Sequence, residues 1–295
     1  MQHRFPIFAI AIACLLPGCS TTPSSTSALR KALTFHASFD VHADAEFAAG
    51  DARLFTADSM NKRDTAKAGL HAGNATVLAP GTGRFGGALR FNHKQAPVVF
   101  FRAPGNFAYA TNNWSGAISF WLHADPAGEL AEGFADPIQI TPRAWNDASF
   151  FVEFEKRQTI PFRLGVYADF KTWNPDNRKW EQIPAAEKPL LTVAEPPFRK
   201  GKWTHVVITF ERFNTGAANG MATLYLDGTP RGMLAGRKQT FTWNLDQTAI
   251  MLGLSYIGSF DDLALFNRAL TPIEVQALHA LPEGVRELHP AGAKR

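Results

Sequence analysis

Apolar and polar residues alternate along most of this chain from Leu33 onward, with a period of two. Ile118, Phe120 and Leu122 fall on one side of a run whose other side holds Ser119, Trp121 and His123. Phe150, Val152 and Phe154 alternate with Phe151, Glu153 and Glu155, and Phe162, Leu164, Val166 and Ala168 alternate with Arg163, Gly165, Tyr167 and Asp169. Val206, Ile208 and Phe210 continue the pattern after Trp203. Such runs predict strands buried on one face, and their repetition predicts an all-β sandwich of two antiparallel sheets. Asp227-Gly228 falls between two runs and predicts a two-residue hairpin turn. Between Asn174 and Pro197 the pattern lapses into a polar, proline-rich excursion, which predicts loop because proline donates nothing to a sheet ladder. One helix is signalled near the C-terminus. Thr271 fits the N-cap, Pro272 the first helical position, and Glu274 completes the capping box.

The first residues follow another logic. A basic start at Arg4 leads into an apolar run, Phe5 to Leu16, too short to span a bilayer, followed by Leu16-Pro17-Gly18-Cys19. This arrangement resembles the lipobox of bacterial lipoproteins, which implies acylation at Cys19. Cys14 lies inside the apolar run and fits that pattern less well, and an ordinary cleaved signal peptide is the competing interpretation. The expected organisation is a signal over residues 1–19, a Ser/Thr-rich flexible linker over 20–32, one domain over 33–281, and a weakly patterned tail over 282–295. The expected location is the cell envelope, lipid-anchored, at the outer membrane.

Composition narrows the chemistry. The chain has two cysteines, so after processing at Cys19 no disulfide staples the domain, and stability must come from a core rich in 24 Phe and seven Trp. A net charge of +4 without a sizeable Lys/Arg cluster argues against nucleic acid as a partner.

Three motifs then converge. Gly83-Arg-Phe-Gly-Gly-Ala-Leu-Arg-Phe91, the pair Lys202-Trp-Thr-His-Val-Val-Ile-Thr-Phe210 and Ala222-Thr-Leu-Tyr-Leu-Asp-Gly228, and Ile257-Gly-Ser-Phe-Asp-Asp-Leu-Ala-Leu-Phe-Asn-Arg-Ala-Leu270 occur in this order. Together they resemble the LamG-like domains of the concanavalin A-like lectin/glucanase fold. The resemblance implies a jelly-roll sandwich with one short C-terminal helix. It also implies a range of activities, from lectins and adhesive modules to glycan hydrolases, so the fold alone selects none of them.

Residue chemistry nominates several candidate sites. Sugars present apolar C–H faces and polar edges, so aromatic platforms with hydrogen-bonding neighbours suit them. Trp145, Trp173 and Trp180 lie in polar, loop-like surroundings, with Arg143, Asn146, Asp169 and Arg178 as polar partners. The structural alternative is that these tryptophans clamp their own loops. Trp121 and Trp203 lie within strands and are expected to be structural, as is His205. For hydrolysis, the nearest pair of carboxyls is Glu153 and Glu155, on one strand face about 7 Å apart. Solvated or salt-bridged glutamates are the simpler interpretation, and the expectation is a non-enzyme. His36 and His42 lack a third ligand for a transition metal. The resemblance implies a structural calcium held by Asp40 and Asp262, against the alternative that Asp261 and Asp262 cap a turn and pair with Arg268. The expected partner is a glycan or another envelope ligand, and a protein partner is the third possibility.

Overall fold

The computed structural model describes residues 25–94 and 97–289. Cys19, the apolar leader and the start of the linker lie outside them. The strands are, in chain order, β1 (Leu33–Ala37), β2 (Phe47–Ala48), β3 (Phe55–Ala57), β4 (Lys67–Ala68), β5 (Thr76–Ala79) and β6 (Ala88–Phe91). They continue with β7 (Val98–Arg102), β8 (Trp114–His123), β9 (Gly133–Thr141), β10 (Ser149–Lys156), β11 (Phe162–Tyr167) and β12 (Leu190–Val193). The last are β13 (Trp203–Phe213), β14 (Gly220–Leu226), β15 (Thr229–Arg237), β16 (Ala249–Leu254) and β17 (Gly258–Phe266). Among the described residues, the α-helices α1 (Ser25–Ala32), α2 (Phe170–Trp173) and α3 (Pro272–His279) accompany them.

Two antiparallel sheets result, in agreement with the alternating pattern. One runs β15-β14-β13-β8-β17-β1-β2, with β6 also on β17 and β5 on β6; the other runs β12-β11-β10-β9-β16-β7-β3-β4. Between them lies the main core, to which the predicted inward rows contribute Ile118, Phe120, Phe150, Val152, Phe154, Val206, Ile208 and Phe210. Each such side chain contributes about 1.5–3 kcal/mol by leaving water. At one end the indole of Trp114, 1 % exposed, meets Phe107, Phe150, Phe210, Phe241 and Trp243 at centroid distances of 4.8–5.7 Å. The Asp227-Gly228 turn joins β14 to β15 with φ of 51° and 73°, both left-handed, as a two-residue hairpin requires.

The helix over 272–279 forms with its capping box: Thr271 Oγ1 accepts from the Glu274 N–H, and the Glu274 carboxylate accepts from the Thr271 N–H. Two terminal segments depart from expectation. The stretch expected as linker over 20–32 is helical from Ser25, because Leu29 and Ala32 recur on one face and bury against the first sheet. The tail after Pro282 is docked, not loose: Val285 and Leu288 are buried, and the Val285 N–H donates to Asp262. These segments and α3 cover the outer face of the first sheet over Ala117, Val207, Ala264 and Phe266. Among the described residues no such helical cover lies over β9, β10 and β11 of the second sheet, and the candidate site lies there.

Candidate functional site

The outward rows of β10 and β11 build the base of a groove of about 600 Å³. From β10 come Phe151, Glu153 and Glu155; from β11, Arg163 and Tyr167; from β9, Phe134, Asp136 and Gln139. Trp145, in the loop between β9 and β10, and Trp180, in the excursion after α2, stand at its rim. This volume is in the range of sites that hold small ligands.

Aromatic faces dominate one end. Trp145 is 50 % exposed and meets the Tyr167 ring edge-on, with centroids 5.5 Å apart. Phe151 stacks on Tyr167 at 5.5 Å. Phe134, 48 % exposed, lies under the Arg163 guanidinium at 5.2 Å. Trp180 carries the Lys188 ammonium 4.4 Å from its ring centroid.

Charged groups form the other end. The Arg163 guanidinium pairs with Glu153 at 2.6 Å and also with Glu155, which Arg157 engages in turn. A guanidinium thus ties together the two glutamates considered for hydrolysis. Burial raises the Glu153 carboxyl above its usual range against the pull of Arg163. Burial, with the Glu153 charge added to it, pushes Asp136 well above the ordinary carboxylate range.

Of the residues expected at a ligand, Trp145 and Trp180 line the groove and the others serve its frame. Trp173 is a clamp: its Nε1–H donates to the Asn146 carbonyl at 2.9 Å, and its ring meets Tyr167 at 5.1 Å. Asn146 is thereby used through its backbone. Arg143 pairs with Asp147 and with Asp169, and Asp169 accepts from the N–H and hydroxyl of Thr242. This network fastens the Trp145 loop to the segment before β16. Arg178 pairs with Glu187 inside the excursion, away from the groove lining. These placements share one feature: each polar side chain, or its backbone, satisfies a hydrogen bond or ion pair of its own loop. Phe151, Tyr167, Arg163, Asp136 and Gln139 were not singled out, although the outward rows of the two strands already contained the first three.

The proposed metal residues occupy another place. Asp262 Oδ1 accepts from His36 at 2.7 Å, and its carboxylate also accepts from the Val285 N–H. Asp40 accepts from the Gly87 N–H and pairs with Arg286. Asp261 Oδ2 accepts from the Arg84 and Phe85 N–H groups, while its Oδ1 is buried without a partner among the described residues. Arg268 pairs with Glu274, not with these aspartates. Among the described residues no group of three or more His, Cys, Asp or Glu is arranged around a metal. Calcium takes six to eight oxygens. Here the oxygens of Asp40 and Asp262 already serve N–H donors, and Arg286 brings the positive charge, so the arrangement does not fit a calcium ion. His36, also hydrogen-bonded to His289 at 2.8 Å, and His205, held by Ser119 at 2.9 Å, are structural.

Comparison with known proteins bears on the fold. The profile of the laminin G type, described as the concanavalin A-like lectin/glucanases superfamily, matches residues 103–276. The chain belongs to that family. No sequence match was found among curated proteins. Domain 4 of AbnA, a GH43 extracellular arabinanase from Geobacillus stearothermophilus, solved in complex with arabinotriose, is similar with a TM-score of 0.50 and 17 % identity, covering 83 % of this chain and 97 % of that one. The botulinum neurotoxin serotype D binding domain is similar with a TM-score of 0.53 and 11 % identity, covering 85 % of this chain and 52 % of that one. The chain therefore spans about half the length of that toxin domain. At such identities the likeness is one of fold.

Proposed function

We propose that this protein is a lipid-anchored envelope protein that captures a glycan in the groove on the outer face of β9, β10 and β11, without cleaving it. The observation that carries the reading is a half-exposed indole, Trp145, standing beside Tyr167 and Phe151 over a floor of polar groups. A sugar ring laid on that indole places its C–H face on the aromatic plane and its hydroxyls toward the floor. The similar arabinanase domain was solved with arabinotriose, which is consistent with a sugar in this fold. The anchor rests on the Cys19 motif, and among the described residues α1, α3 and the segment after Pro282 lie on the first sheet, on the side away from the groove.

A glycan-array screen of the intact domain tests the reading, with Trp145→Ala and Trp180→Ala as controls. Retention should fall with Trp145→Ala; unchanged retention on every hit would remove the groove from consideration. Labelling with a fatty acid analogue, lost in Cys19→Ser, tests the anchor. The competing reading, glycan cleavage, draws on the carboxyls of Asp136 and Glu153 in one groove. Release of new reducing ends from a bound oligosaccharide, abolished in Glu153→Gln, would establish it.

A further inference from the structure

We propose that Asp136 and Gln139 are the residues that read the ligand, and that they select an uncharged sugar through its hydroxyls. The inference rests on the groove being a glycan site and adds which chemistry of glycan it accepts.

Three observations converge. First, β9 and β10 fall out of register where Ile138 pairs with Val152 but Ala135 pairs with Phe154, so Asp136 and Pro137 together stand opposite Glu153. Proline lacks the N–H that a regular ladder would need there, and the bulge turns Asp136 into the groove. Second, the Asp136 carboxyl makes no hydrogen bond or ion pair within the described residues, although it lines a groove whose other carboxyls are all paired. Third, Gln139 is 2 % exposed, and its Nε2 has no partner among the described residues. A buried amide donor left unpaired costs about 1–3 kcal/mol, and a half-turn of the amide exchanges its donor and acceptor. A ligand hydroxyl satisfies either end.

Charge balance supplies the selectivity. The charge of Arg163 is balanced by Glu153 and Glu155 through its two terminal nitrogens, its Nε–H being left without a partner among the described residues, and the charge of Arg157 is balanced by Glu155. A uronate or sulfated sugar thus finds no cation on the floor that lacks a carboxylate partner. A protonated amino sugar finds the carboxylates already neutralised, and an Asp136 whose burial beside Glu153 favours the neutral acid. A neutral sugar meets one carboxyl that donates and accepts and one amide that does the same. Losing such a partner costs much more than losing a methylene, because the buried group stays unpaired.

The test compares four trimers on the wild-type protein by calorimetry: arabinotriose, cellotriose, trigalacturonate and the glucosamine trimer. A neutral trimer should bind at least tenfold tighter than either charged one. Asp136→Ala and Gln139→Ala should each weaken the neutral trimer about tenfold, whereas Asp136→Asn, which keeps a donor and an acceptor, stays within a few-fold. Melting curves confirm that each variant is folded, and the four-ligand comparison needs no variant at all. Equal or tighter binding of a charged trimer, with Trp145→Ala still weakening it, overturns the selectivity but keeps the groove as a glycan site. Wild-type affinity in both Asp136→Ala and Gln139→Ala overturns the assignment of the two residues in the same way. Binding of no trimer, or binding indifferent to Trp145→Ala, removes the glycan reading itself and this inference with it.

Discussion

The phenyl ring of Phe151 lies directly over Gly165, its partner on the neighbouring strand: a Cβ added at 165 would come within 2.2 Å of the ring's Cζ. The absence of a side chain on β11 is what lets the ring lie down on the sheet and stack on Tyr167 as groove floor. Gly165→Ala must lift that ring. It should destabilise the protein by about 1–3 kcal/mol through overpacking and weaken the glycan binding proposed for this groove as the floor is displaced. Urea unfolding alongside calorimetry reads both; a neutral substitution would show that the ring has another place to go.

Arg163 holds the floor's charge together. Its side chain is 13 % exposed and joins Glu153 to Glu155. Arg163→Ala leaves two carboxylates crowded without a cation and should cost about 3–5 kcal/mol. Adding Glu153→Gln and Glu155→Gln to Arg163→Ala should recover part of that loss. Denaturant midpoints of the single and combined variants decide it.

Asp261 makes stability depend on pH. Burial and the adjacent Asp262 push its carboxyl up to about 8, against the two backbone N–H donors. An unfolded aspartate ionises near pH 4, so between about pH 4 and about pH 8 the folded chain binds the extra proton. Stability contributed by this group therefore falls as pH rises through that window. Asp261→Asn, which can still accept from Arg84 and Phe85, should flatten the decline and raise the melting temperature at pH 8.

Calcium should leave the melting temperature unchanged relative to chelator, because Asp40 faces Arg286 and Gly87 while Asp262 faces His36 and Val285. A clear calcium-dependent rise would mean that Arg286 gives way and the aspartates regroup around the ion.

The helix before β1 should matter to the fold. Leu29 is fully buried against α3 and the first sheet. Leu29→Ala should cost about 2–5 kcal/mol, the range for a buried leucine. A melting temperature equal to wild type would restore the picture of a loose tether up to residue 32.

Much of this architecture is legible in one dimension because a strand's side chains alternate by steric necessity. The inward rows of β8, β10, β11 and β13 could be read directly, as could the Asp227-Gly228 turn and the cap at Thr271, each a matter of a few neighbouring residues. The helix at Ser25 has little signature in the sequence because eight residues carry only Leu29 and Ala32 as buried anchors in a polar stretch. Its stability comes from the surface on which it docks.

The local sequence thus determined the two-sheet sandwich and an aromatic surplus outside the strands, since these follow from period and composition. Tertiary structure decided which sheet face stays open, that Trp145 stands in a groove while Trp173 is tied to the Asn146 carbonyl, and that Arg163 meets Glu153 and Glu155. Those are relations between residues on different strands and loops. Strand register, the bulge at Asp136-Pro137 and the docking of the chain ends set them, and no short window of sequence contains the distances involved.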